Sequence, residues 1–177
     1  MKTLSSKTLK LRKLTIKDAE FIVELLNDSD FLKYIGDRGV KNEQDAINYI
    51  QQGPQTMYQQ HGFGLLLVES VSLKRPIGLC GLLKREELPH PDLGFAFLPQ
   101  YRAKGLALDA AKLVLADAYQ RKVIQKVLGI TSIDNYKSTN LLQKLGFKDK
   151  GLIRLKDNLD EIRLYELSSE IKTPLPE

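Results

Sequence analysis

The chain has 177 residues, 42% of them hydrophobic and 28% charged, which is typical of a globular protein with one core. Its longest apolar run in the first half, residues 65–68, is far shorter than the roughly 20 residues that cross a bilayer. The N-terminus lacks the apolar core of a secretory signal, and a single cysteine, Cys80, excludes an intramolecular disulfide and a cysteine-based metal site. These features predict a cytoplasmic protein with no membrane partner and no metal.

The formal net charge of +5 raises the question of nucleic acid. The basic residues are scattered among acidic ones, aromatic residues make up only 7% of the chain, and tryptophan is absent. The sequence therefore lacks a stacking platform for bases, and nucleic acid is not predicted as a partner. A basic surface also suits a smaller anion, such as the phosphates of a nucleotide.

The first half of the chain predicts one strand followed by helices. Leucines alternate with basic residues over 8–14, which is typical of a strand. Thr15 and Asp18 then form a capping-box pattern that opens a helix, and a second helix is predicted at about 30–35. Residues 42–60 are rich in glutamine and interrupted by a Gly-Pro pair, which predicts two short helices or one broken helix.

The remaining elements alternate between strand and helix periodicity. Helices are predicted after Gly105 and over 135–145, the second ended by Gly146 in a left-handed cap. The order predicts one α+β domain, 1–177 with a core of about 8–168, built on a central mixed sheet. The strands after the first helical region are predicted at 63–69, 76–83, 92–98, 125–131, 147–154 and 161–168.

The segment from Asp92 to Ala107 contains a strand, a basic loop and the start of a helix. Strand alternation places Asp92 and the small residues Gly94 and Ala96 on one face, opposite three large apolar side chains. We expect the small residues to leave room for a ligand beside the backbone, with the Asp92 carboxylate at the start of that groove.

The loop that follows this strand has the features of an anion site. The first N–H groups of a helix lack internal partners, and the helix dipole favours negative charge there. Gly105 permits close approach of the backbone, and Arg102 and Lys104 add positive charge. The spacing excludes a nucleotide-triphosphate loop and a three-glycine dinucleotide fingerprint. A helix that merely begins with basic residues remains the alternative.

A second informative segment is the polar loop and helix after the predicted strand at 125–131. Asn135 and Ser138 lie in the first turn of that helix. On their own, these residues favour a structural interpretation over a functional one, with Asn135 as a helix cap and Ser138 as an exposed serine of the first turn.

Together the two segments resemble the GNAT N-acetyltransferase superfamily. Arg102-x-x-Gly105-x-Ala107 is similar to its pyrophosphate-binding signature, Gln/Arg-x-x-Gly-x-Gly/Ala. Asn135-x-x-Ser138, followed by Leu145-Gly146-Phe147, is similar to its Asn-x-x-Ser/Ala helix and Leu-Gly-Phe turn. Asp92-Leu93-Gly94-Phe95 resembles the branch that contains the ribosomal-protein alanine and serine N-acetyltransferases.

The resemblance implies the GNAT fold, with helices flanking a mostly antiparallel sheet that has a V-shaped split between the fourth and fifth predicted strands, 92–98 and 125–131. It also implies acetyl-CoA as co-substrate, with Asn135 contacting the pantetheine or the reacting end. The pantetheine arm would follow the backbone of Phe95, Ala96, Phe97 and Leu98. The pyrophosphate would be bound by the loop and helix start, which comprise Arg102, Ala103, Lys104, Gly105, Leu106, Ala107 and Leu108.

The implied reaction is direct transfer, in which a neutral amine attacks the thioester and the thiolate leaves. It requires a base, a donor for the oxyanion and, optionally, an acid for the thiolate. Asp92 is the implied base, directly or through water, with Glu86 and Glu87 as alternatives and a structural carboxylate as the non-catalytic interpretation. Many family members use a tyrosine acid at the position of Leu142, so Ser138 becomes the substitute.

The acceptor is the least specified part of the prediction. The resemblance favours a protein N-terminal α-amine. A small-molecule amine (polyamine, amino acid or antibiotic) and a non-catalytic acyl-CoA-binding module are the alternatives. Acceptor selectivity is assigned to 28–60, 84–91 and 155–161. Relatives of this kind are often homodimers, although no exposed apolar stripe predicts that state here.

Overall fold

A computed structural model describes residues 2–155 and 160–168. The strands are β1 (Leu4–Ser5), β2 (Leu9–Lys13), β3 (Leu65–Ser70), β4 (Arg75–Leu83), β5 (Asp92–Phe97), β6 (Lys126–Ser132), β7 (Lys148–Ile153) and β8 (Ile162–Ser168). The α-helices are α1 (Ala19–Leu26), α2 (Ser29–Tyr34), α3 (Glu43–Ile50), α4 (Thr56–His61), α5 (Leu106–Gln120) and α6 (Tyr136–Lys144). The strands form one sheet in the order β1-β2-β3-β4-β5-β6-β8-β7.

The predicted α+β class and mixed, mostly antiparallel sheet are confirmed, with element ends shifted by a few residues. The capping box forms, and the Asp18 carboxylate accepts a hydrogen bond of 2.8 Å from the Thr15 N–H. The predicted break in 42–60 is a π-helical turn, Gln51–Gln55, which contains Pro54 and joins α3 to α4. The strand β1 was not predicted, because two residues are too short to show periodicity.

The core has two layers, one on each face of the sheet. Alternate residues of β3 point to opposite faces, so that Leu66 packs in the cluster containing α5, whereas Leu67 packs in the cluster containing α1 and α3. Cys80 lies fully buried in the first cluster, and burial raises the pKa of its thiol. Both observations indicate that Cys80 is a packing residue rather than a nucleophile.

The sheet contains one parallel junction, between β5 and β6. Within the described residues, its register consists of the single pair Asp92 with Leu128, and the Leu128 N–H donates to the Pro91 carbonyl at 2.8 Å. In contrast, β5 pairs with β4 along its whole length. The strands β5 and β6 therefore diverge after their first pair. This confirms the predicted V-shaped split, now between the fifth and sixth strands because β1 adds one.

The helix α6 packs directly on β6 on the α5 side of the sheet. A Cβ atom at Gly129 would lie 2.7 Å from Leu142 Cδ2, so the glycine permits this close approach. The helix ends as predicted, with Gly146 at φ 88° and the Phe147 N–H donating to the Leu142 carbonyl at 3.0 Å. The polar residues at the start of α6 are thereby fixed beside the split.

The tight contact between β3 and β4 provides a test of the fold. A Cβ atom at Gly81 would lie 2.1 Å from the Gly64 backbone oxygen, and backbone cannot turn away as a side chain can. We expect Gly81→Ala to lower the free energy of unfolding by about 1–3 kcal/mol or more, measured by urea denaturation.

The matched control is Gly53→Ala in the helical turn, where a Cβ atom meets nothing within 4 Å apart from its chain neighbours. Alanine suits helical backbone better than glycine, but its Cβ would also meet the ring of the following Pro54, so we expect a change of at most about 1 kcal/mol. Equal effects of the two substitutions would contradict the described packing of β3 against β4.

Candidate active site

The loop between β5 and α5 presents a row of backbone N–H groups without acceptors. Ala103 and Gly105 both have left-handed backbone, with φ of 58° and 78°. The first bond of the helix runs from the Asp109 N–H to the Gly105 carbonyl, at 3.1 Å. Within the part of the chain that the structure describes, the N–H groups from Ala103 to Leu108 have no hydrogen-bond acceptor. We call this row the cradle, and it lies at the positive end of the α5 dipole.

Gly105 is needed for the conformation of the cradle rather than for packing. A Cβ atom there would meet nothing within 4 Å, yet its positive φ disfavours other residues. The open space leaves the neighbouring N–H groups accessible. Lys104 is exposed beside them, whereas Leu106, Ala107 and Leu108 are half-buried.

The side chain of Arg102 is not a free cation, because protein groups already occupy its guanidinium. Its Nε donates to the Phe97 carbonyl at 2.8 Å, and its Nη1 donates to Asp30 at 2.7 Å. Its Nη2 donates to Asp28, the N-cap residue of α2. The charge that the sequence suggested for an anion is therefore already paired with two carboxylates. These carboxylates were missed because the sequence indicated only a helix start.

The backbone groups of alternate β5 residues point in opposite directions. The Leu98 N–H donates to the Ile77 carbonyl at 3.0 Å, so Leu98 and Ala96 direct their backbone groups toward β4. Phe95 and Phe97 therefore direct theirs toward the split. Because the Phe97 carbonyl accepts from Arg102, Phe95 offers open backbone groups there. Of the four strand residues predicted to bind cofactor, Phe95 is the best placed.

The predicted faces of β5 are confirmed, but the predicted space beside Gly94 is not. Leu93, Phe95 and Phe97 pack in the cluster that contains α5, as alternation requires. A Cβ atom at Gly94 would lie 2.7 Å from Leu83 Cδ1, so that side chain fills the room expected for a ligand. The open path is along the backbone edge facing β6 instead.

Asp92 is a buried carboxylate at the closed end of the split. Its side chain is 1% exposed, and Arg85 Nε donates to its Oδ1 at 3.0 Å. Burial raises the pKa of Asp92, although Arg85 opposes the rise. Both alternative bases, Glu86 and Glu87, are exposed. Arg85 was not singled out from the sequence, because its pairing depends on the register of β4 with β5.

The residues predicted on α6 lie at the other side of the split. Asn135 Oδ1 accepts from the Ser138 N–H at 3.1 Å and caps the helix, which leaves its amide nitrogen without a partner among the described residues. Ser138 is half-buried in the first turn. Leu142 is 1% exposed and packs on Gly129, so this position offers no acid to a thiolate.

A cavity of about 390 Å³ lies near the closed end of the split, within the size range of ligand sites. Its floor includes Leu128 and Leu164, which point away from α6. We call it the β6–β8 cavity. Its charged and ionisable rim comprises Glu87, His90, Lys150, Arg154 and Glu166.

Within residues 2–155 and 160–168, no helix combines the length and the apolar character that a membrane span requires. The same ranges contain no group of three or more His, Cys, Asp or Glu side chains placed to hold a metal ion.

Comparison with known proteins identifies the family. A family model described as the GNAT acetyltransferase domain matches residues 8–148. The chain belongs to this family. It is an acetyltransferase, and YoaA of Bacillus subtilis, described as an uncharacterised N-acetyltransferase, is 24% identical to it over 153 residues, 85% of each chain.

Solved structures confirm the GNAT fold. A GNAT acetyltransferase from Bacillus anthracis matches 96% of this chain and 100% of its own with a TM-score of 0.78 and 23% identity. RimL, a ribosomal L7/L12 α-N-protein acetyltransferase solved in complex with coenzyme A, matches 94% of this chain and 98% of its own, with a TM-score of 0.81 and 15% identity. RimL and this chain thus share a fold, and the resemblance of this chain to the ribosomal-protein branch stays a prediction.

The raised pKa of Asp92 predicts a pH-dependent difference in stability. Ionising a carboxyl whose pKa is raised costs more in the folded than in the unfolded chain, where aspartate titrates at about 3.9. The wild type should therefore lose stability relative to Asp92→Asn as pH rises from about 4 through the folded pKa, by at most about 1.4 kcal/mol per pH unit. Urea unfolding of both proteins between pH 4 and 8 measures this. If the wild type instead gained stability relative to Asp92→Asn as pH rises, Arg85 would lower the pKa of Asp92 by more than burial raises it.

Proposed function

We propose that the protein transfers the acetyl group of acetyl-CoA to a primary amine, with a protein N-terminal α-amine as acceptor and one domain of about 8–168 carrying the activity. The observation that carries the proposal is the cradle. It is a row of unpaired N–H groups directly after a strand whose neighbour diverges. A pyrophosphate supplies acceptors for such donors, and the structural relative RimL was solved with coenzyme A.

In this proposal the cofactor follows backbone groups rather than charged side chains. The pyrophosphate accepts hydrogen bonds from the cradle, Ala103 to Leu108, with the exposed Lys104 beside it. The pantetheine arm pairs with the open backbone of Phe95 in the place that β6 has left. The unpartnered amide nitrogen of Asn135 faces the arm or the thioester from α6.

The reaction is a direct transfer. The amine nitrogen forms a bond to the thioester carbon, the C–S bond breaks, and its electron pair leaves on sulfur. Asp92 accepts the proton of the amine through water, since its carboxylate is almost fully buried. A raised pKa makes that carboxylate a better base. Ser138 donates a hydrogen bond to the leaving thiolate in place of the tyrosine that Leu142 replaces, and the thiolate takes its proton from water.

The β6–β8 cavity supports a polypeptide acceptor over a polyamine. It lies near Asp92, because Leu128 both lines the cavity and pairs with that residue. Its rim carries acidic and basic side chains together, whereas a polyamine calls for an acidic pocket. Beside Asn135, Tyr136 is 72% exposed and offers apolar contact to a chain. RimL, by its name, acts on a protein α-amine.

Calorimetric titration with acetyl-CoA tests the cofactor site. We expect Gly105→Asp to weaken binding at least about tenfold, because a carboxylate would enter a site that favours anions. Gly39→Asp is the matched control, since Gly39 has φ of 70°, open space for a Cβ atom and an exposed position. Equal binding by the two variants, or none by the wild type, would contradict the proposed site.

Turnover measurements test the catalytic residues and the acceptor. We expect Asp92→Asn to lower kcat by about 10²–10⁴-fold and Ser138→Ala to lower it less, both with unchanged affinity for acetyl-CoA. Glu87→Gln tests the alternative base at the cavity rim.

The choice of acceptor is tested by offering peptides that begin with Ala or Ser, the same peptides with a blocked N-terminus and an internal lysine, free amino acids and spermidine. Full activity of both Asp92→Asn and Ser138→Ala would exclude the residue assignments, and preference for spermidine would exclude the acceptor.

A further inference from the structure

We propose that Arg102 is a positioning residue that ties the cradle to α2, and that it does not contact the pyrophosphate. Asp28 and Asp30 are its partners in this role. The inference rests on the proposed acetyl-CoA site. The inference gives the arginine of the signature an indirect role at that site. It also means that two carboxylates that lie outside the signature contribute to cofactor binding.

The guanidinium is engaged at all three of its nitrogens. Its Nε, Nη1 and Nη2 donate to the Phe97 carbonyl, Asp30 and Asp28 respectively. A planar guanidinium held at three points in this way has a fixed orientation. Three of its five N–H groups are thereby committed, and turning the side chain toward a phosphate would require these bonds to break.

The partners of Arg102 are themselves fixed in place. Asp28 accepts hydrogen bonds of 3.1 Å from the backbone N–H groups of Asp30 and Phe31, and thereby caps α2. Phe97 is the last residue of β5. Arg102 thus joins the start of α2 to the end of β5, at the point where the chain enters the cradle.

The cradle needs such a tie because its backbone is unfavourable on its own. Ala103, directly after Arg102, has a left-handed φ of 58° that residues with a side chain rarely adopt. Within the described residues, the N–H groups of the cradle make no hydrogen bonds that would hold the loop in this conformation. Fixing Arg102 therefore restricts the orientation of the donors that follow it.

The charges of the cluster agree with a positioning role. One guanidinium and two carboxylates give Arg102, Asp28 and Asp30 a formal charge of −1 together. Such a cluster does not attract an anion. Lys104, which is exposed on the loop, remains the side chain that adds positive potential at the cradle.

Calorimetric measurement of the affinity for acetyl-CoA distinguishes a positioning role of Arg102 from direct contact with the pyrophosphate. The two roles predict opposite changes in affinity for Asp30→Asn. If Arg102 positions the loop, Asp30→Asn should weaken binding by about threefold or more, and Arg102→Met by more. The double variant should bind no more weakly than Arg102→Met alone, because both changes break one network. If Arg102 bound the pyrophosphate, Asp30→Asn would release it and tighten binding.

Asp109→Asn is the matched control for charge. Asp109 is an exposed carboxylate in the first turn of α5, so its loss changes the potential at the cradle without touching the tie. We expect unchanged or tighter binding. Equal effects of Asp30→Asn and Asp109→Asn would overturn the inference.

Arg102→Lys adds a second, independent criterion. Lysine keeps the charge but cannot donate in the three directions of the fork, so we expect it to bind acetyl-CoA nearly as weakly as Arg102→Met. Restored affinity would overturn the inference, and far-UV circular dichroism verifies that each variant is folded. Absence of binding by the wild type would instead remove the proposed function, so the two failures are distinguishable.

Discussion

The structure depends on one interrupted ladder of hydrogen bonds. Strands β5 and β6 share the pair Asp92 with Leu128 and then separate, although both lie in the middle of an eight-stranded sheet. Buried backbone groups normally find partners, so an interior strand edge without a neighbour is costly. The cradle, at the start of α5, is a second set of backbone groups without hydrogen-bond partners among the described residues. The proposed active site is therefore assembled largely from main-chain groups that the fold itself leaves unsatisfied.

Packing on the two faces keeps the strands apart. The helix α6 rests on β6 where Gly129 meets Leu142, while Phe97 of β5 packs into the cluster around α5. On the opposite face, α2 contacts both sides of the split. It reaches the cradle loop through Arg102 and the loop before α6 through an ion pair of 3.2 Å between Lys33 and Asp134. That exposed ion pair contributes little to stability by itself. Together with the contacts of Arg102, it shows that α2 lies across the opening of the split.

The sequence predicted what is determined locally. The signature around Gly105 located the cradle, and Gly146 marked the end of α6, because both depend on a backbone conformation that neighbouring residues specify. The family and the existence of the split followed from the order of such motifs. Spacing along the chain was sufficient for these features.

Side-chain partners were not predictable in the same way. Arg102 meets Asp30 and Asp28 across sequence separations of 72 and 74 residues. The loss of space beside Gly94 depends on Leu83, and the β6–β8 cavity needs three strands and two loops together. The strand order places β8 between β6 and β7, so β6 lacks its antiparallel neighbour until Ile162–Ser168 exists. During vectorial synthesis, β6 therefore stays without its antiparallel neighbour until Ile162–Ser168 has left the ribosome, and a nascent chain that ends before this strand lacks a complete wall for the proposed cofactor site.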